Sequence, residues 1–130
     1  MYDMATYKSL VPELNKITNI RCLEAGLYSD YLRVAGSVDC IGEYEGVLSV
    51  IDFKTSGRMK YRNEIHSYFK QTAAYSFMFY EMTNQIPSQL VILMAVDFSP
   101  TQVFIESPKE WLPEFIKLRN KYEGLGRSVL

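Results

Sequence analysis

The segment Gln89 to Val96 reads Gln-Leu-Val-Ile-Leu-Met-Ala-Val, an unbroken apolar run closed by Pro87 on one side and Asp97 on the other. A run this short, rich in β-branched residues and bounded by turn formers, reads as a strand. With no polar residue at alternate positions, it must be covered on both faces, as strands in the interior of helix-flanked sheets are. The polar stretch Asp97 to Thr101 then turns the chain into Gln102 to Glu106, an edge strand that closes a hairpin.

The other elements follow from periodicity. Met4, Tyr7, Leu10, Val11, Leu14 and Ile17 recur at three-and-four spacing, a helix that Pro12 is expected to bend or interrupt. Ile20 to Tyr28 alternates, setting Ile20, Cys22 and Glu24 against Arg21, Leu23, Ala25 and Leu27. Ser29-Asp30 marks a turn into a second strand, Tyr31 to Ile41. After a loop from Gly42 to Gly46, Val47 to Lys54 makes a third, completing an antiparallel meander.

Past a basic stretch, Asn63 or a neighbour caps a helix that runs to about Met82 and ends at Thr83-Asn84 and Pro87. Ile65, Tyr68, Phe69, Ala73, Ala74, Phe77, Met78 and Tyr80 leave it apolar around most of its circumference, so it is expected to be buried on more than one side. Ser107 and Pro108 open a last helix through Trp111, Phe115, Leu118 and Tyr122 to a stop at Gly124. The order α-β-β-β-α-β-β-α predicts an α/β fold, a mixed sheet flanked by helices, in one domain spanning 1–130.

A chain of 130 residues, 48% of them apolar, can bury a core of its own. Its net charge of −1 lacks the basic balance of most nucleic-acid binders. Locally, however, Lys54, Arg58, Lys60, Arg62 and Lys70 crowd a stretch whose acids are Asp52 and Glu64, which suggests a positive edge beside a carboxylate site. Cys22 and Cys40 lack metal-ligand spacing, and no charged n-region followed by an apolar h-region opens the chain, so an intracellular, cytoplasmic protein with reduced thiols is expected. No apolar run approaches the roughly 20 residues of a membrane span.

The third strand carries the chemistry. Its period of two puts Leu48, Val50, Asp52 and Lys54 on one face and Val47, Ser49, Ile51 and Phe53 on the other. A carboxylate and an ammonium on the face that a helix should cover are costly unless paired or used. If the hairpin turns at Glu45-Gly46, Tyr44 faces Val47 and the register brings Asp39 opposite Asp52. Asp39 is read as sharing its face with Ala35 and Ser37, small residues that leave it space. Cross-strand neighbours have Cβ atoms about 4.5–5.5 Å apart, and two like charges there call for a cation. Two carboxylates completed by waters and phosphate oxygens suit Mg²⁺. A buried Asp-Lys ion pair, with Asp39 as a strand-end turn former, accounts for the same three residues without any chemistry. On the central helix, Gln71 and Tyr75 lie one turn apart with Lys70 alongside; they either face the same cleft or, for Gln71, simply meet solvent.

The segments Gly36-Ser37-Val38-Asp39, Ile51-Asp52-Phe53-Lys54-Thr55-Ser56 and Gln71-Thr72-Ala73-Ala74-Tyr75, in this order, resemble the motifs of the PD-(D/E)XK nuclease superfamily. They are most similar to its RecB-like exonuclease branch, which holds small phage exonucleases and the mitochondrial-genome-maintenance exonuclease. The resemblance runs from about Ile20 into the last helix. It implies a restriction-endonuclease-like three-layer core and a Mg²⁺- or Mn²⁺-dependent deoxyribonuclease, an exonuclease acting on single strands or DNA ends. The family's pattern implies that Asp39 and Asp52 bind metal, with the Phe53 backbone carbonyl as a further ligand, and that Lys54 assists the attacking water. It places Gln71, Tyr75 and the adjacent Lys70 at the substrate, and matches Glu24 to a glutamate of the preceding strand. DNA is the implied partner, and a homo-oligomer or a replication or recombination partner is compatible; phage or bacterial origin is suggested. A structure-specific endonuclease, or a catalytically weak DNA-binding module, is the alternative. One departure is plain: such nucleases often carry a histidine on an upstream helix, whereas the sole histidine here is His66, after both aspartates. The chain is therefore expected to lack that upstream helical segment, and His66 is read as a helix-end surface residue.

Overall fold

The computed structural model of the chain describes residues 4–123. Its elements are α1 (Met4–Leu14), β1 (Ile17–Ser29), β2 (Val34–Tyr44), β3 (Val47–Ser56), a 3₁₀ turn (Arg62–Glu64), α2 (His66–Thr83), β4 (Gln89–Val96), β5 (Gln102–Glu106) and α3 (Pro108–Glu123). The expected order is present. The expected stop at Gly124 lies outside the described residues, as do the side chains of Met4 and Tyr7. The helix α1 runs through Pro12 and ends two residues later.

Five strands form one sheet in the order β1-β2-β3-β4-β5. All neighbours are antiparallel except β3 and β4, whose parallel pairing requires the crossover that α2 supplies. The turn between β2 and β3 is the anticipated two-residue loop: Glu45 and Gly46 both have positive φ, 50° and 82°, as a type I′ hairpin demands. It locks Tyr44 against Val47 and carries the ladder inward to Cys40 against Ile51.

The sheet is covered on both faces. Leu10 and Leu14 of α1 pack with Cys40, Tyr44, Ile51, Val91 and Leu93 on one side. On the other, α2 and α3 close over Val50, Leu90, Ile92 and Met94 through Ala73, Met78, Phe69 and Phe115. Leu90 to Val96 are all essentially solvent-free, the condition their uninterrupted apolarity required. The helix α2 buries Phe69, Thr72, Ala73, Ala74, Tyr75, Ser76, Met78 and Phe79, because it lies between the sheet and α3. It is not capped by Asn63. The 3₁₀ turn precedes it, and Ile65 is the N-cap residue without a side-chain hydrogen bond. At its other end Asn84 takes the left-handed conformation, φ 63°, and donates its N–H to the Tyr80 carbonyl at 2.7 Å.

The strands depart from simple alternation at two levels: the β1–β2 register shifts between Thr18 and Cys22, where Asn19 has φ 46°, and a second irregularity lies further along the pair. In β2, Val38 and Ile41 both pack on the α2 side, and in β1 Cys22 and Ala25 do the same. An odd step in each strand means that the pleat reverses once. The reversal falls where Glu24 and Asp39 face each other, between the ladder pairs Leu23↔Cys40 and Ala25↔Val38, and Glu24 has φ 46°. Strict period-two reading of β1 therefore fails across Glu24. It also fails for Asp39: Ala35 and Ser37 are exposed, and Gly36 is the residue turned toward α2.

Candidate functional site

Asp52 and Lys54 lie near the carboxyl end of β3, on the side covered by α2, two residues apart and hence on one face. Asp52 is buried, and the Lys54 ammonium stands 3.2 Å from its Oδ2 with the lysine side chain 28% exposed. The approach is off the hydrogen-bonding direction, so Asp52 Oδ2 is buried without a hydrogen-bond partner. The β2–β3 ladder ends at the pair Cys40↔Ile51, and Asp39 is the next residue of β2 beyond it. There the Asp39 carboxylate takes over the ladder itself: its Oδ2 accepts the Phe53 N–H at 2.9 Å.

Burial above all, and then the neighbouring Asp39 carboxyl, push the Asp52 carboxyl up to about 7, against the lowering pull of the Lys54 ammonium. Loss of solvation thus outweighs the salt bridge.

Tyr75 of α2 is 5% exposed and closes the site from the helix side. Its hydroxyl accepts a hydrogen bond from Gln71 Nε2 at 3.2 Å. Burial, and next the Asp52 and Asp39 charges, raise the phenol above its ordinary range, which places it in the field of both carboxylates. Its ring lies against the backbone of Gly36: a Cβ there would stand 2.9 Å from Tyr75 Cε1 and 3.0 Å from its hydroxyl oxygen. Only glycine leaves that space. The expected open space made by Ala35 and Ser37 is not found: both are exposed, and the close approach in β2 is that of Gly36 to Tyr75.

The remaining expected residues are placed as follows. Glu24 is exposed and lines, with Leu23, Asp39 and Phe53, an open depression of about 530 Å³. It therefore shares a cleft with Asp39, while Asp52 and Lys54 approach from the α2 side. Phe53 touches the site through its N–H. Lys70 is half-buried and makes no ion pair among the described residues. His66 is exposed at the first position of α2, its ring 4.8 Å from that of Trp111. The expected positive edge is largely neutralised: Arg58 pairs with Glu64 at 2.6 Å, and Arg62 with Glu106 across the fold. Glu106 also accepts the Trp111 Nε1–H at 2.8 Å.

One contact went unread in the sequence. The Lys54 ammonium lies over the ring of Tyr68, 4.6 Å from its centroid. The signal was there, since Tyr68, Gln71 and Tyr75 recur at three-and-four spacing along one stripe of α2.

Among the described residues, no three His, Cys, Asp or Glu side chains gather closely enough to hold a metal by themselves. Asp39 and Asp52 nonetheless fit a partly hydrated divalent ion, which typically takes one or two carboxylates and keeps several waters. The observation that favours such a fit is the buried Asp52 oxygen without a partner.

No family model matches the chain. Among curated proteins it is similar to mitochondrial genome maintenance exonuclease 1 of Homo sapiens, 34% identical over 93 residues, which is 67% of this chain and 26% of that protein. The Xenopus tropicalis protein of the same name is 29% identical over 121 residues, covering 85% of this chain and 35% of the relative. The chain thus spans about a quarter to a third of the length of these relatives. Among solved structures, a candidate exonuclease from Eubacterium rectale superposes with a TM-score of 0.57 at 12% identity, over 88% of this chain and 49% of that one. The fold, a mixed five-stranded sheet flanked by helices, is therefore that of an exonuclease-like structure.

Proposed function

We propose that this chain forms the catalytic core of a Mg²⁺- or Mn²⁺-dependent deoxyribonuclease of the PD-(D/E)XK type, working as an exonuclease on single strands or DNA ends. One observation carries the reading: a buried carboxylate with an oxygen lacking a hydrogen-bond partner, Asp52, lies beside a second carboxylate, Asp39, with an ammonium at 3.2 Å. A structural ion pair has no use for the second acid, whose presence raises the cost of ionising the first. The similarity to proteins named for genome maintenance and exonuclease activity supports DNA as the substrate.

In this reading Asp39 and Asp52 hold the divalent ion, with the Phe53 carbonyl as a further candidate, while Glu24 stands at the edge of the same cleft. The ion supplies Lewis-acid polarisation of the phosphate and lowers the pKa of water. Asp39 is kept in place by the Phe53 N–H it accepts. Lys54, partly exposed, presents its ammonium to the phosphate oxygens, where charge develops during hydrolysis. Gln71 orients the Tyr75 hydroxyl at the wall of the site, and Lys70 lies alongside for the DNA backbone.

The test uses the purified chain with end-labelled single-stranded, double-stranded and circular DNA, in Mn²⁺ and in EDTA. Mn²⁺-dependent trimming of linear DNA, with single-stranded circles left intact, is expected; Asp52→Ala should abolish it and Lys54→Ala should reduce it sharply. Cleavage undiminished in either variant sinks the site assignment. Binding without cleavage in Mn²⁺ would make the chain a DNA-binding module, and cutting of circles would make it an endonuclease.

A further inference from the structure

A lysine beside a buried carboxylate ordinarily closes on it, spending its N–H groups in a hydrogen-bonded pair. Here the ammonium stops 3.2 Å from Asp52 Oδ2, which is left without a hydrogen bond, and rests over the face of Tyr68. We propose that Tyr68 is a positioning residue for Lys54: its ring seats the ammonium beside Asp52 while leaving the lysine N–H groups free for a substrate oxygen. The inference rests on the nuclease reading for the purpose of the seat, though not for its existence.

The physical basis is the ring quadrupole, which attracts a cation without acting as a directional acceptor. An ammonium has three donors and no acceptor. A carboxylate or carbonyl in place of the ring would engage one of those donors; an aromatic face holds the charge more diffusely. The seat is also rigid. Tyr68 lies in the first turn of α2, its N–H bonded to the Ile65 carbonyl at 3.0 Å and its own carbonyl accepting the Thr72 hydroxyl at 2.8 Å. Its side chain packs against the cluster of Ile65, Phe69, Ile92 and Met94. The position also fits the rest of the site. Along a single stripe of α2, Tyr75 stands in the field of Asp39 and Asp52, Gln71 donates to Tyr75, and Tyr68 takes the lysine. One helix face thereby seats the lysine and presents the Gln71–Tyr75 pair to the two carboxylates.

A merely packed tyrosine would be replaceable by leucine; a cation seat requires a ring. Tyr68→Leu is therefore compared with Tyr68→Phe, using Mn²⁺-dependent cleavage and thermal unfolding. Leucine is expected to lower kcat about 5- to 30-fold with little change in KM or in the unfolding midpoint, whereas phenylalanine stays within about 2-fold of the parent. Independently of turnover, the Lys54 Hε protons are expected to show an upfield ring-current shift by NMR in the parent chain and in Tyr68→Phe, absent from Tyr68→Leu. Full kcat in Tyr68→Leu alongside a crippled Lys54→Ala overturns the proposal. So does a Lys54 resonance without the ring-current shift in the parent, a measurement that needs no variant to fold. If the shift is present but the parent chain cleaves nothing, the seat stands and the nuclease reading falls.

Discussion

Replacing Asp52 by asparagine should stabilise this protein in the absence of metal, and only above acidic pH. The Asp52 carboxyl titrates at about 7 in the fold against 3.8 for an ordinary aspartate, mainly through burial and secondarily through Asp39. A carboxyl raised in this way is protonated in the folded state at pH values where the unfolded chain has already released the proton. Between about 4 and 7 the folded state binds more protons, so stability falls as pH rises and levels off above 7. At ~1.4 kcal/mol per pH unit, the full difference is on the order of 4 kcal/mol. Part of it belongs to the interaction with Asp39, so about 2–4 kcal/mol is expected at pH 8, a large share of the ~5–15 kcal/mol typical of a domain. Urea unfolding of parent and Asp52→Asn in EDTA, from pH 4 to 8, measures it. The difference between the two curves should open in favour of asparagine across that window. Adding Mn²⁺ should close it by stabilising the parent alone. A difference that stays flat, or that opens in favour of the parent as pH rises, would mean that the Lys54 pair outweighs desolvation and that the site has no need of a cation.

Other perturbations separate the parts of the site from the parts of the scaffold. Lys54→Ala should reduce cleavage by about 10²–10⁴ while shifting the unfolding midpoint little, since the lysine side chain is partly solvated; gel assays with calorimetry check both. Gly36→Ala forces a Cβ within 2.9 Å of the Tyr75 ring and should cost about 1–3 kcal/mol in urea unfolding, less when combined with Tyr75→Ala. Ile92→Ala, fully buried at the heart of β4, should cost about 2–5 kcal/mol by the same measurement. Phe98→Asn should be neutral or stabilising by up to ~1 kcal/mol, because Phe98 is 92% exposed and holds φ 58°, a conformation that asparagine tolerates better.

Most of the scaffold was readable because its signals are local. The apolar run of β4, the β5 edge strand and the Ser107-Pro108 start of α3 all coincide with the elements found, and Ser107 Oγ accepts the Lys109 N–H at 3.3 Å. The boundaries of β1, β2 and α2 differ from those expected: β1 takes in Ile17, which the spacing assigns to the first helix, and β2 runs on through Gly42 to Tyr44, which read as loop. The second strand begins at Val34 rather than Tyr31, because residues 30–33 form a turn whose ends are tied to distant groups: Ser29 Oγ donates to Glu81 at 2.6 Å and accepts the Leu32 N–H at 2.9 Å. The basic stretch misleads for a similar reason. Arg58 and Arg62 look free in sequence, yet Glu106, which neutralises Arg62, lies 44 residues away on the edge strand.

Taken alone, the sequence determined the order of elements, the two-residue turn at Glu45-Gly46 and therefore the β2–β3 register from Tyr44↔Val47 to Cys40↔Ile51, with Asp39 next in line. Each depends on backbone preferences spanning a few residues, and hairpin pairing propagates a turn geometry without further information. Only the tertiary structure decided what surrounds Asp39 and Asp52: the pleat reversal between Glu24 and Asp39, the fit of Tyr75 against Gly36, and the ring of Tyr68 under the Lys54 ammonium. Those contacts join β1 to β2, and α2 to β2 and β3. Their geometry, and the desolvation that lifts Asp52, arise when the helix closes over the sheet and excludes water from a carboxylate that sequence can place but cannot bury.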